Sequence, residues 1–211
     1  SLTRAKKAIE DGSFDAEVTP VTYKNRQREV TVEQDEQPLT ANLEKIPKLR
    51  PAFDKDGTVT AANSSSISDG AAALVMMRES TAKKRGLKPI ARFLGHSSFA
   101  QEPAWFTTAP VSAIRNLLET VGWNVDDVDL FEINEAFAVV TMAAMKDLNL
   151  PADKVNVHGG ACALGHPVGA SGTRILVTLI SALQKYGKTR GVASLCIGGG
   201  EATAMAVEVL S

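Results

Sequence analysis

The feature that most constrains this chain is a glycine-rich segment from Asn156 to Gly172, with the sequence NVHGGACALGHPVGASG. Dense glycine permits positive φ and close approach of the backbone, so the segment is suited to a reactive centre better than to a packed core. His166 is followed by Pro167, a residue favoured at the first position of a helix. We therefore predict a helix over 168–185 that begins beside His166, where backbone N–H groups and the helix dipole favour an anion.

Around this segment, strand-like and helix-like patterns alternate. Apolar spacing predicts further helices at 111–121 and 136–148, and strands at 90–98, 128–133, 192–197 and 202–210. The last two strands are joined by a glycine-rich tight turn, which is typical of an antiparallel pair. Strands that alternate with helices predict an α/β layer with a mostly parallel sheet.

The first third of the chain is charge-dense and irregular. After a helix at 2–10, the sequence predicts short strands at 17–19, 28–32 and 58–60, separated by polar turns. Residues 61–66 are small and hydroxyl-rich, as in a flexible linker. A buried strand predicted at 69–77 follows at once, so these serines are expected to end at a core. A short helix is predicted at 78–85.

Composition excludes several classes of protein. The aromatic content is 5% and the net charge is -1, which argue against a nucleic-acid partner. No apolar run approaches the length of a membrane span, and no signal peptide is evident. Two cysteines cannot form a disulfide framework, so we expect a reducing, cytoplasmic location. The missing Met and the helix that starts at Ser1 suggest a piece of a longer protein.

Three candidate reactive groups fall where an element ends or begins. Asn134 ends a predicted strand, His166 precedes a predicted helix, and Cys196 ends another strand beside three glycines. In open α/β sheets, ligands usually bind at such strand ends. The three junctions together predict a site.

Other interpretations of these residues are weaker. His158, Cys162 and His166 are spaced four apart, as metal ligands on a helix would be, but glycines and a proline interrupt the helix and no fourth ligand is near, so no metal is expected. The glycine run also lacks the lysine of a phosphate-binding loop. An Asn–His–Cys trio suggests a cysteine protease, yet Cys196 precedes glycines instead of a helix N-terminus that would stabilise a thiolate. A proton-transferring role suits Cys196 better, with the Gly198 N–H free to bind an oxyanion.

The motifs resemble the thiolase family over essentially the whole chain. The resemblance lies in NEAFA (134–138), GGACALGHPVGASG (159–172), CIGGGEA (196–202) and AANSSSISDG (61–70), with supporting matches at 51–53 and 110–115. Within the family, the chain is most similar to acetyl-CoA C-acetyltransferases, with the wider 3-ketoacyl-CoA thiolases close behind. The resemblance implies the thiolase fold, an α/β fold with a mixed, mostly parallel sheet, helices on both faces, and part of a loop domain.

The resemblance also implies a role for each residue. His166 would deprotonate a nucleophilic cysteine, Asn134 would hold a water in the oxyanion hole, and Cys196 would move the α-proton of the second acyl-CoA. The Gly198 N–H would contribute to a second oxyanion hole. The coenzyme A channel would be lined by Phe53, Ala61, Ser65 and Phe137. Coenzyme A thioesters would be substrates, and no cofactor is implied.

The family's nucleophilic cysteine belongs to an upstream domain and has no counterpart here. Cys162 is read as a small buried residue. The resemblance therefore divides the chain into the latter part of the coenzyme A-binding loop domain (1–68), a segment that completes the N-terminal domain (69–89) and the C-terminal domain (90–211).

Because this cysteine is missing, the N-terminal half is an expected partner. The resemblance also implies that the complete unit is a homodimer or homotetramer. Residues 105–109 (WFTTA) replace an expected Met-Gly-containing segment, which leaves the acyl chain length open. A degradative 3-ketoacyl-CoA thiolase and a non-catalytic acyl-CoA-binding relative are the alternatives to an acetoacetyl-CoA thiolase.

Overall fold

The structure is a computed structural model that describes residues 1–210. Its helices are α1 (Leu2–Glu10), α2 (Glu36–Thr40), α3 (Glu79–Lys84), α4 (Ala109–Val121), α5 (Ala138–Leu148), α6 (Ala161–Leu164) and α7 (Ser171–Lys185). Its strands are β1 (Val21–Asn25), β2 (Arg28–Val32), β3 (Ala91–Ala100), β4 (Leu130–Ile133), β5 (Arg190–Cys196) and β6 (Glu201–Val209).

A four-stranded mixed sheet organises the second half of the chain, in the order β3-β6-β5-β4. The α/β class and the mixed sheet are as predicted, but the expectation of a mostly parallel sheet is wrong for this chain. Only β4 and β5 run parallel, whereas β6 is antiparallel to both β5 and β3. The reason is the glycine turn after β5, which folds β6 straight back into the middle of the sheet.

Helices cover both faces of this sheet, as predicted. On one face, α4 and α5 pack with Ile114, Leu117 and Phe131 in the larger core cluster. On the other, α7 packs with Ile175 and Leu179 in a second cluster. Burial of such apolar side chains contributes about 25 cal/mol per Å² and holds the strand ends in place.

The first third departs from the sequence expectations in three places. Of the three early strands predicted, only 28–32 forms, and it pairs with β1 at Val21–Asn25 instead of with 17–19 or 58–60. The buried strand predicted at 69–77 is also wrong, since this segment is in neither a strand nor a helix and Val75 is 89% exposed. A strand needs a neighbour that offers backbone hydrogen bonds, and within residues 1–210 none pairs with this segment.

Among residues 1–210, no helix is both long enough and apolar enough to cross a bilayer.

Candidate active site

Two of the three candidate residues lie at one edge of the sheet. Because β4 and β5 are parallel, their carboxyl ends meet there, with Ile133 opposite Ser194. Asn134 follows β4 directly, and its backbone N–H donates to the Ser194 carbonyl at 2.9 Å. Cys196 is the last residue of β5. Both side chains are buried, as ligand-facing strand ends in this class of sheet often are.

His166 is brought to the same edge by the glycine-rich segment. The short helix α6 is followed by Gly165, whose φ of 89° favours glycine. The His166 backbone N–H then donates to the Ser66 carbonyl at 2.9 Å, and the imidazole Nε2 lies 3.4 Å from Asn134 Nδ2. Asn134 and His166 therefore form a side-chain pair although 32 positions separate them.

The predicted helix start beside His166 is wrong. Helix α7 begins at Ser171, because residues after Pro167 first form a turn in which the Ala170 N–H donates to the Pro167 carbonyl at 2.8 Å. The imidazole is tied to the helix through its side chain instead, with Nδ1 2.6 Å from Ser171 Oγ. Sequence reasoning missed Ser171, for which the only signal was a hydroxyl five positions after the histidine.

Residues 61–67, called the serine-rich segment below, are not a free linker. They lie between residues 134–137, the Asn134 loop, and residues 165–170, the His166 loop. Ser65 donates both its backbone N–H and its hydroxyl to the Ala136 carbonyl, each at 3.0 Å. Single bridges join Ser64 to Phe137 and Ile67 to His166. The segment therefore fixes the distance between the two loops by backbone hydrogen bonds.

Asn156 and Glu135, which sequence reasoning did not single out as supports, clamp the chain on either side of Asn134. Asn156 Oδ1 accepts from the Ile133 N–H at 2.7 Å, and Nδ2 donates to the Ile133 carbonyl at 2.8 Å and to Glu135 Oε1 at 3.1 Å. Glu135 Oε2 accepts from the Cys162 N–H at 3.1 Å. The sequence does carry one signal for this clamp, the residue type at position 156. Asn adopts positive φ more readily than most residues, and Asn156 has a φ of 47°.

Gly160 shows why this junction needs glycine. A Cβ at that position would lie 2.5 Å from the Glu135 carboxyl carbon, closer than side-chain carbons approach. The Glu135 carboxylate therefore occupies the space that a larger residue at 160 would need.

The electrostatics favour a neutral imidazole and a protonated thiol. Burial lowers the pKa of His166, and the positive charge of Arg174 lowers it further. Burial raises the pKa of the Cys196 thiol to about 11. His166 is thus ready to accept a proton at neutral pH, and Cys196 holds one.

The other candidate residues surround this centre. Gly198 is exposed in the turn after β5, and open space lies where a side chain would point. The Phe53 ring meets Phe137 edge-on at 6.3 Å, and Phe106 meets Phe137 at 6.4 Å. Phe53 is 78% exposed, and Ala61 lies exposed in the turn at the start of the serine-rich segment.

The three residues considered as metal ligands bind different partners. His158 Nε2 lies 3.1 Å from the Tyr186 hydroxyl, and Cys162 Sγ lies 3.7 Å from the Glu135 carbonyl. His166 pairs with Asn134. Across the part of the chain that the structure describes, no group of three or more His, Cys, Asp or Glu side chains is arranged to hold a metal ion.

Comparison with known proteins identifies the family of this chain. The family model of the thiolase C-terminal domain matches residues 87–209, and that of the thiolase N-terminal domain matches residues 1–80. The chain belongs to the thiolase family. The resemblance inferred from its motifs is therefore confirmed.

Individual thiolases are similar along the whole chain. Cytosolic acetyl-CoA acetyltransferase of Mus musculus is 50% identical over 211 residues, which are 99% of this chain and 53% of the mouse protein. The crystal structure of Bacillus anthracis acetyl-CoA acetyltransferase superposes with a TM-score of 0.97 at 48% identity, over 100% of this chain and 54% of that one. The crystal structure of human mitochondrial 3-ketoacyl-CoA thiolase superposes with a TM-score of 0.91 at 39% identity, over 99% of this chain and 53% of the human one. The chain spans about half the length of the thiolases it matches.

Proposed function

We propose that this chain supplies the acid–base and oxyanion-binding groups of a thiolase that reversibly condenses two acetyl-CoA molecules to acetoacetyl-CoA and CoA. The observation that carries the proposal is the contact between Asn134 Nδ2 and His166 Nε2, which lie 3.4 Å apart. The contact lies at the sheet edge where β5 ends with Cys196. The similar mouse and Bacillus proteins are named acetyl-CoA acetyltransferases, which supports acetyl-CoA as substrate.

In the first half-reaction, His166 activates a cysteine thiol from the upstream half of the enzyme. The neutral imidazole takes the thiol proton, the thiolate attacks the thioester carbonyl, and the carbon–sulfur bond to CoA breaks. His166 returns the proton to the departing CoA sulfur. Asn134 holds a water beside the imidazole, and the two together bind the developing oxyanion.

In the second half-reaction, Cys196 first loses its own proton to solvent, and the thiolate so formed takes a proton from the α-carbon of a second acetyl-CoA. The resulting carbanion attacks the acyl-cysteine carbonyl, and the upstream thiolate leaves and is reprotonated from solvent. A thiol with a pKa of about 11 has a strongly basic thiolate and a firmly held proton, which suits one group to both directions of the reaction. We propose that the N–H of Gly198, an exposed residue of the turn after β5, binds the second oxyanion.

The nucleophile is proposed to come from outside this chain because both of its thiols are unsuited to attack. Burial raises the pKa of Cys162 to about 12 and that of Cys196 to about 11, so little thiolate forms at neutral pH. The expected partner is therefore the N-terminal thiolase half that carries the cysteine. We expect the complete unit to be a cytoplasmic homodimer or homotetramer.

Coenzyme A would enter beside the serine-rich segment. Phe53, Ala61, Ser65 and Phe137 are proposed to line the pantetheine channel, with coenzyme A thioesters as substrates and no cofactor. The exposed Phe53 ring against Phe137 offers an apolar surface next to the polar centre.

Reconstitution tests this proposal. The purified chain, alone and mixed with the upstream half, is assayed for cleavage of acetoacetyl-CoA by free CoA. We expect turnover only in the mixture, and equal turnover when the chain carries Cys162→Ala. Turnover by the chain alone, with mass spectrometry excluding a second polypeptide, would overturn the assignment of roles.

A degradative thiolase for longer 3-ketoacyl-CoAs is the second candidate. It is supported by the likeness to the human mitochondrial enzyme and by the aromatic residues at 105–106, which change the expected acyl pocket. Relative rates along a series of 3-ketoacyl-CoA chain lengths separate the two. A non-catalytic acyl-CoA binder is disfavoured, because it has no use for Asn134, His166 and Cys196 together.

A further inference from the structure

The hydroxyl of Ser171 lies between two polar atoms at the start of α7. Its Oγ is 2.6 Å from His166 Nδ1 and 3.0 Å from the Pro167 carbonyl oxygen. Ser171 is 1% exposed, so water does not compete for these contacts. The hydroxyl has a single hydrogen to share between them.

Only one arrangement of hydrogens makes both contacts hydrogen bonds. A carbonyl oxygen cannot donate, so the Ser171 hydroxyl donates to the Pro167 carbonyl, as serines in a first helical turn commonly do to a residue four positions earlier. Nδ1 of His166 must then carry a hydrogen and donate it to Ser171 Oγ. The reverse arrangement would leave two oxygens 3.0 Å apart with no hydrogen between them.

The other side of the ring fits the same arrangement. With the hydrogen on Nδ1, the neutral imidazole has its lone pair on Nε2, which faces the Asn134 amide N–H at 3.4 Å. Every donor in the series Asn134, His166 and Ser171 then points in the same direction.

We propose that Ser171 is a positioning residue that holds His166 as the Nδ1–H tautomer and thereby makes Nε2 the basic nitrogen of the site. The inference deepens the proposed function and rests on the role given there to His166. Ser171 belongs to a regular helix, whereas His166 belongs to a glycine-rich loop, so the hydrogen bond transfers the rigidity of α7 to the imidazole.

The arrangement also suits the proton cycle. When Nε2 accepts a proton, Nδ1 keeps its own, and Ser171 Oγ accepts the same hydrogen bond in both charge states. The Pro167 carbonyl is itself held by the Ala170 and Ser171 N–H groups at 2.8 and 2.9 Å. On the Ser171 side of the ring, therefore, no group needs to turn when Nε2 gains a proton, which is the condition for preorganised electrostatic support.

Nitrogen NMR tests the tautomer directly. The chain has three histidines, so ¹⁵N-histidine labelling of this chain, alone or bound to an unlabelled upstream half, gives few signals to assign. We expect a protonated Nδ1 and an unprotonated Nε2 at His166. Ser171→Ala should shift the balance toward Nε2–H, and Ser171→Thr, which keeps the hydroxyl, should not. Ser97→Ala, which removes another serine hydroxyl that donates to a carbonyl, is the matched control and should leave His166 unchanged.

A kinetic measurement adds a second readout. In the complex with the upstream half, Ser171→Ala should slow acylation roughly tenfold, the size expected for one hydrogen bond of this kind, and Ser171→Thr should recover most of the rate. A wild-type His166 with its hydrogen on Nε2, or an unchanged tautomer in folded Ser171→Ala, would overturn the proposal. Full activity of His166→Asn would instead overturn the proposed function, so the two failures are distinct.

Discussion

Cys162 and Cys196 lie in different regions and are equally buried, each 6% exposed, yet their surroundings differ. Cys162 is in the glycine-rich segment, where its Sγ contacts the Glu135 carbonyl at 3.7 Å and its N–H donates to the Glu135 carboxylate. Cys196 ends β5, and among residues 1–210 its Sγ makes no side-chain hydrogen bond to another residue. One thiol is occupied by its neighbours and the other is free to exchange a proton.

Burial alone therefore does not distinguish the cysteine proposed to transfer protons from the one proposed to be structural. Burial raises the pKa of both thiols, to about 12 for Cys162 and about 11 for Cys196, so by pKa the two look alike. What separates them is the position of Cys196 at the strand edge that also presents Asn134. The same substitution or the same alkylation, applied to each cysteine in turn, therefore tests most sharply whether Cys196 transfers protons and Cys162 does not.

The largest expected effect is from Cys196→Ala in the complex with the upstream half. Acylation by acetyl-CoA should survive, while α-proton exchange and condensation should fall at least ~10²-fold, as on losing a general acid–base group. Deuterium exchange into acetyl-CoA and single-turnover acylation measure the two steps separately. Equal loss of both would show that Cys196 does not divide the reaction in this way.

His166→Asn should slow labelling of the upstream nucleophile by iodoacetamide ~10²-fold at neutral pH, because no neighbouring base replaces the imidazole. Labelling of Cys162 and Cys196, read by peptide mass spectrometry in the same sample, should not change. Wild-type labelling of the nucleophile in this variant would mean that His166 is not its activating base.

The next test compares how fast the thiols of Cys162 and Cys196 are alkylated in the folded and in the denatured chain. A pKa of about 11, against an ordinary 9.0, leaves Cys196 with roughly 100-fold less thiolate at neutral pH. Alkylation of the folded chain should therefore be about that much slower than after denaturation, and should speed up as the pH rises toward 11. Fast alkylation of either thiol at pH 7 would contradict the raised pKa of that thiol.

The smallest effect is expected from Cys162→Ala. The variant removes a buried sulfur but no group that transfers protons, so the free energy of unfolding should fall by about 1 kcal/mol with kcat unchanged. Urea unfolding and a steady-state assay of the reconstituted complex measure the two. A large loss of kcat with normal stability would place Cys162 in the reaction.

Much of the fold was predictable from sequence. Helix α4 has apolar spacing, Pro110 near its start and Gly122 after its end at φ 69°, so its bounds differ little from the prediction. The strand expected at 69–77 failed because apolar composition reports what a segment can bury, and not whether a neighbouring strand exists. The antiparallel pairing of β5 with β6 was predicted from the glycine turn, but the sheet is not mostly parallel because β6 also pairs antiparallel with β3, a long-range choice.

The candidate site was predictable in its residue types and less so in its contacts. Asn134, His166 and Cys196 were placed at element junctions, and the structure places Asn134 and His166 side by side. Ser171 and Asn156 were missed because their importance lies in hydrogen bonds to partners that only the folded chain brings near. The proposed division at 68/69 and 89/90 stays a prediction.

The serine-rich segment has a mechanical consequence. Its main chain is bonded at one end to the Asn134 loop, through Ser65, and at the other to His166, through Ser66. The segment thus links the two loops through one stretch of main chain, on either side of the 3.4 Å contact between Asn134 and His166. A molecule lying in the channel proposed beside Ser65 would act on both loops through that stretch, so that filling the proposed channel and aligning the proposed catalytic pair would be a single event.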